Sequence, residues 1–165
     1  MFYFELLKEL FNRQIQYLIV GGLAVNLHGI PRVTQDIDII ILMTNSNIKK
    51  INSVLKELNY IPRLPINPED LMNRGIVEIW IKDRNLKALS FYHKTDDYKG
   101  VDIVLVHPLD FEEAFKKRIT KKIDNIEIYI VSIEDLIAMK VASGRGQDLS
   151  DVAMLEKVKQ FLEGE

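Results

Sequence analysis

Two aspartates one residue apart, Asp36 and Asp38, open the isoleucine-rich run Asp36-Ile-Asp-Ile-Ile-Ile-Leu42. On a strand, residues i and i+2 share a face, so both carboxylates point the same way. Two like charges among isoleucines are costly without a counter-ion. Mg²⁺ (or Mn²⁺) suits them, because it takes hard oxygen ligands and commonly holds substrate phosphates as well. A solvated strand end is the plain alternative. Asp102 opens another apolar run, Val101-Asp-Ile-Val-Leu-Val106, and can supply a third carboxylate, with Asp96 and Asp97 as rivals for that place. Three acids can hold two metal ions, one at the attacking oxygen and one at the leaving phosphate.

Upstream of the acids, Tyr17-Leu-Ile-Val-Gly-Gly22 reads as a strand that ends in two glycines, where a helix begins. Glycines let a backbone approach a ligand closely, and a helix start offers free N–H groups to an anion. A phosphate is the natural guest at Gly21 and Gly22; an ordinary turn is the bland reading. Arg32 and Thr34 sit just before the acidic strand. An arginine there can fork onto a phosphate, or pair with Asp36 or Asp38. Lys140 lies in an otherwise apolar helix (Leu136, Ile137, Met139, Val141), where it either snorkels to water or serves the site. Asp148 can cap the last helix.

Taken together, Val20-Gly21-Gly22, thirteen residues, Asp36-Ile37-Asp38 and a distant Asp102 resemble the nucleotidyltransferases of the DNA polymerase β superfamily. The fuller pattern Gly-Gly-x-Ala-x-x-x-His-Gly-x-x-Arg-x-Thr-x-Asp-Ile-Asp is similar to the minimal members, including relatives of AbiEii-type toxins and stand-alone domains. Many members have Gly-Ser where this chain has Gly21-Gly22, so a hydroxyl contact to phosphate is lost. The run Asp135 to Asp151 resembles a C-terminal motif of the same group: Lys, then Arg, then Asp-x-x-Asp. The resemblance implies transfer of a nucleoside monophosphate from an NTP to a hydroxyl with Mg²⁺. It implies Asp36, Asp38 and Asp102 as metal ligands, and Gly21, Gly22, Arg32 and Thr34 at the nucleotide. It also implies Lys140 at the triphosphate, with Arg145, Asp148 and Asp151 arranging the site.

The remaining composition narrows the classes. The chain has 165 residues, 47% apolar and 28% charged, enough for one domain with a real core. Lys+Arg 22 against Asp+Glu 24 gives 22 − 24 = −2, which argues against a general nucleic-acid coating protein. There is no Cys, so disulfides, Cys-ligated zinc and a thiol nucleophile are excluded. Three His are too few for the His-Asp clusters of a metal phosphohydrolase. No apolar run is long enough to span a bilayer, and the start Met1-Phe-Tyr-Phe-Glu5 has no leader pattern, so a cytoplasmic protein is expected. Five basic residues in Lys116–Lys122 read as a solvated helix end or an RNA contact.

The elements that must position these residues alternate between helix and strand periods, predicting one α/β (α+β) domain over 1–165. Helices are expected at 2–13, 23–28, 45–58, 68–82 with a break at Gly75, 110–118 and 132–143; Gly144-Arg145-Gly146 breaks the last of these, and a final amphipathic helix follows to about Glu163. Residues 131–165 form a C-terminal helical part. Strands are expected at 16–20, 36–42, 87–92, 101–106, 119–123 and 127–131, giving a mixed sheet with the metal site at one edge. Val101–Val106 alternates little and reads as buried on both faces. The acceptor is open: small molecule, tRNA or protein. The rival reading is a catalytically idle protein on the same fold, a binding or toxin–antitoxin partner, with an antitoxin or a helical protein as its mate.

Overall fold

The computed structural model describes residues 3–164. The expected helix start at Phe2 lies outside them. A single mixed sheet of seven strands runs through the molecule in the order β3-β4-β5-β2-β1-β7-β6. The strands are β1 Tyr17–Val20, β2 Asp36–Ile41, β3 Tyr60–Pro62, β4 Ala88–His93, β5 Gly100–Val104, β6 Ile119–Ile123 and β7 Ile126–Ile130. β2 pairs with β5 and β1 with β7 in parallel; the other neighbours are antiparallel. The acid-bearing strands β2 and β5 are therefore central, which corrects the expectation of a site at the sheet edge.

Seven α-helices accompany the sheet among the described residues: α1 Phe4–Asn12, α2 Gly21–Leu27, α3 Asn45–Glu57, α4 Arg74–Lys82, α5 Phe111–Lys116, α6 Ile133–Ser143 and α7 Gly146–Glu163. Their ends follow local chemistry. Thr44 accepts from the Asn47 amide to start α3, and Ser132 accepts from the Asp135 amide to start α6. Gly144 takes φ +66° and closes α6, a conformation that glycine adopts at little cost. None of the helices among the described residues is long and apolar enough to cross a membrane.

The core explains why β2 can carry acids. Ile37, Ile39 and Ile41 face away from Asp36 and Asp38 and are buried, as are Leu18, Ile19 and Val101. Burial of such side chains stabilises by roughly 1.5–3 kcal/mol each. This fixes the register of β2, since a slip by one residue would turn its carboxylates into the core. Buried Asn47 also ties the elements together. Its Oδ1 accepts from the Gln16 amide at 2.9 Å, while its Nδ2 donates to the carbonyls of Gln16 and Leu42.

The central part departs from the sequence expectation in three places. Tyr60–Pro62 is a strand, too short to show a period. The helix expected over 68–82 is a 3₁₀ turn, Pro68–Met72, and then α4, parted at Asn73 rather than Gly75 because the Asn73 side chain accepts from the Ile76 amide. β5 ends at Val104, and Val106 is 47% exposed, so the run is not buried on both faces.

Candidate active site

The site is built where the beginnings of β2 and β5 meet the β1–α2 turn. Asp38 lies directly across from Asp102 on the parallel neighbour, and Asp36 lies across from Gly100. Asp38 and Asp102 are hydrogen-bonded to each other. Burial first, then the Asp102 carboxylate, pushes Asp38 up to about 7. Asp36 is shifted up as well, by burial and by Asp102, with Arg63 opposing. Among the described residues no three His, Asp or Glu side chains converge as a ready-made metal cage. Asp38 and Asp102 are the close pair, and Asp36 stands one step back along the same face.

Glycines make this packing possible. Gly21 has φ +67°, and a Cβ there would sit 2.1 Å from Asp38 Oδ2. At Gly22 a Cβ would meet Thr34 Oγ1 at 2.8 Å and Arg32 Cζ at 3.4 Å. The space beside both glycines is thus used by the protein's own side chains. At Gly100 a Cβ would lie 2.3 Å from Asp36 Oδ1. Sequence reasoning missed Gly100, because its need for smallness comes from a strand partner 64 residues away (100 − 36).

A charged cluster stands beside the acids. Lys140 Nζ lies 3.3 Å from Asp148 Oδ1 and 3.0 Å from Asp151 Oδ2. Arg145 Nε donates to Asp148 Oδ2 at 2.8 Å, and Arg32 Nη1 pairs with Asp151. Lys140 therefore does not snorkel; it is 7% exposed and ends on carboxylates. Arg32 pairs with Asp151 rather than with Asp36 or Asp38. Asp148 also accepts from the Arg145 amide at the start of α7, as a capping residue does. Burial opposes its ionisation, but Arg145 and Lys140 outweigh burial and hold it below the usual carboxylate range. Three cations against two carboxylates leave one net positive charge facing the acid pair.

The cavity over this floor has two arms. Both are lined by Gly21, Asp38, Asp102, Lys140, Arg145 and Asp148. One arm, about 300 Å³, continues over Gly22, Arg32, Thr34, Asp36 and Gln147 and is polar. The other, about 480 Å³, runs between β4, β5 and α6 over apolar side chains. Every nucleotide-site residue expected from the sequence thus lines one arm or both. Asp96 pairs with Lys99 at 3.2 Å in the β4–β5 loop and is not part of this floor.

The other expectations fall outside the site. His28 Nε2 donates to the Val131 carbonyl at 2.8 Å, as helix-end structure. Four of the five residues of the basic run are engaged within the fold: Lys116 on Glu113, Lys117 on Asp135, the Arg118 guanidinium over the Phe115 and Tyr129 rings, and Lys121 Nζ on the Leu27 carbonyl.

The model of a family described as nucleotidyltransferase of unknown function (DUF6036) matches residues 2–161. The chain belongs to that family. No curated protein matches it significantly. Solved structures share its fold at low identity. The lincosamide antibiotic adenylyltransferase LnuA, lincomycin-bound, is 16% identical with a TM-score of 0.58, over 94% of each chain. ANT(2")-Ia in complex with adenylyl-2"-tobramycin is 10% identical with a TM-score of 0.54, over 96% of this chain and 91% of that one. An antigenic nucleotidyltransferase-like protein from Paracoccidioides brasiliensis is 18% identical with a TM-score of 0.53, over 91% and 71%. The minimal nucleotidyltransferase domain and its α/β fold, with a mixed sheet and C-terminal helices, stand as expected from the sequence.

Proposed function

We propose that this chain moves a nucleoside monophosphate from an NTP to an acceptor hydroxyl, with Mg²⁺, and that pyrophosphate leaves. The observation that carries the reading is the close Asp38–Asp102 pair on the floor of a cavity that also holds Lys140 and Arg145. The donor set fits Mg²⁺, which is usually bound by one or two carboxylates plus substrate phosphates rather than by an all-protein cage. Asp38 and Asp102 would hold it, with Asp36 alongside. When bound, it neutralises the carboxylates and the charge that develops on the phosphoryl oxygens.

The chain's own residues supply the rest. Lys140, Arg145 and Arg32 give fixed positive charge for the triphosphate, and Asp148 and Asp151 keep those cations in place without reorganisation. Asp102 is the carboxylate that takes the proton of the acceptor hydroxyl. A small molecule is the favoured acceptor, since the antibiotic adenylyltransferases of similar fold are of nearly the same extent as this chain. The idle-fold and toxin–antitoxin readings have no feature of the site in their favour.

The test is transfer itself. NTPs labelled at the α-phosphate, Mg²⁺ and a panel of hydroxyl-bearing small molecules, tRNA and proteins should give a labelled acceptor with the wild type. Asp38→Asn should lower that rate by about 10³-fold or more. A wild type that binds NTP and transfers nothing to any acceptor, at a rate equal to Asp38→Asn, would return the chain to the idle reading.

A further inference from the structure

His107 lines the apolar arm of the cavity, and its hydrogen bonding fixes what it can do there. The Leu109 amide donates to His107 Nδ1 at 3.2 Å. A ring nitrogen that accepts carries no proton, so the imidazole is neutral and its proton sits on Nε2. Burial pushes the His107 pKa down, in the same sense. No described residue partners Nε2. His107 is thus a fixed donor and not a base.

The two arms differ in what they can accept. The polar arm has Arg32, Thr34 and Gln147 and suits phosphate oxygens. The other arm is walled mainly by Ala88, Val104, Val106, Pro108, Leu136 and Met139, with Lys87 and Ser143 also lining it, and its size suits a flat, largely apolar group of small-molecule dimensions. A nucleobase is such a group, with ring nitrogens and carbonyl oxygens at its edge that need a donor.

We propose that the apolar arm seats the nucleobase of the NTP, and that His107 Nε2–H donates to a ring nitrogen or carbonyl oxygen of that base. This makes His107 a residue that sets nucleotide affinity and base preference without touching the reacting atoms. The inference rests on the nucleotidyltransferase reading.

The experiment separates base from phosphate. Dissociation constants for the four NTPs and for inorganic tripolyphosphate, each with Mg²⁺, are measured by calorimetry for the wild type, His107→Ala, His107→Asn and His107→Gln. Asparagine keeps an acceptor for the Leu109 amide and loses the distal donor; glutamine restores a donor near the Nε2 position. The best NTP should bind about tenfold more weakly to the Ala and Asn variants, as for one lost hydrogen bond, and nearly normally to Gln. Tripolyphosphate should bind all four proteins alike. NTP affinity equal across all variants would overturn the inference while leaving the transfer reading intact. A parallel loss for NTP and tripolyphosphate in the Asn variant would also overturn it, since His107 would then act on the floor. A wild type that binds neither probe overturns both readings.

Discussion

Asp38 and Asp102 face each other across the parallel β2–β5 pair and share a hydrogen bond, although 64 residues separate them (102 − 38). Two carboxylates in contact cannot both ionise freely, so the ligand-free pair retains a proton that a solvated pair would lose. Under the proposed function, a cation would take the place of that proton.

Stability should record this. Folded Asp38 titrates at about 7 against an ordinary 3.8, so between those values the folded state holds a proton that the unfolded state has lost. The contribution is fully present below pH 3.8 and is lost as pH rises through 7. The metal-free protein should be less stable at pH 8 than at pH 5, by on the order of 2 kcal/mol from this pair. Urea unfolding at both pH values checks it, and Asp102→Asn should flatten the difference and stabilise the protein at pH 8.

Gly100 and Asp36 should behave as a coupled pair. Gly100→Ala puts a methyl against the Asp36 carboxylate and should destabilise by roughly 1–3 kcal/mol. Asp36→Ala removes the obstacle, so the double variant should recover most of that loss in a double-mutant cycle. Gly21→Ala should recover less with Asp38→Ala, because its φ of +67° remains unfavourable for alanine. Additive free energies for Gly100→Ala and Asp36→Ala would show that the contact has no energetic weight.

Lys140→Met should be severe. It leaves Asp148 and Asp151, 1% and 4% exposed, with less compensation for their charges. Breaking a buried pair in this way costs about 3–5 kcal/mol. Thermal unfolding measures it, and Asp151→Asn added to Lys140→Met should return part of the stability by removing a stranded charge.

Arg145→Ala should show the opposite balance. Its side chain is 78% exposed, so its pair with Asp148 contributes little, and stability should change by less than about 1 kcal/mol. The same change removes a cation from the cavity floor. Affinity for Mg²⁺-NTP should fall about tenfold or more. Unchanged NTP affinity would mean that Arg145 serves only the start of α7.

Local chemistry made much of this legible in the linear chain. The Ile-rich run specified β2 with its acids on one face, the paired glycines marked the β1–α2 turn, and Ser132 and Gly144 marked the ends of α6. Periods and caps are set within a few residues, and the sequence carries them directly. Relations between distant segments were decided by the sheet. The β2–β5 register set Asp102 against Asp38 and Gly100 against Asp36. The packing of α7 gave Arg32 to Asp151, 119 residues away. β3 was invisible because three residues carry no period, and it exists as the antiparallel partner of β4. His107 gave no signal because its role depends on a cavity wall and one backbone amide. The chain alone determined which residue types were available and which face each would take. The tertiary structure decided which of them meet, because strand order and helix packing come from burying the whole core at once, and no local pattern encodes that sum.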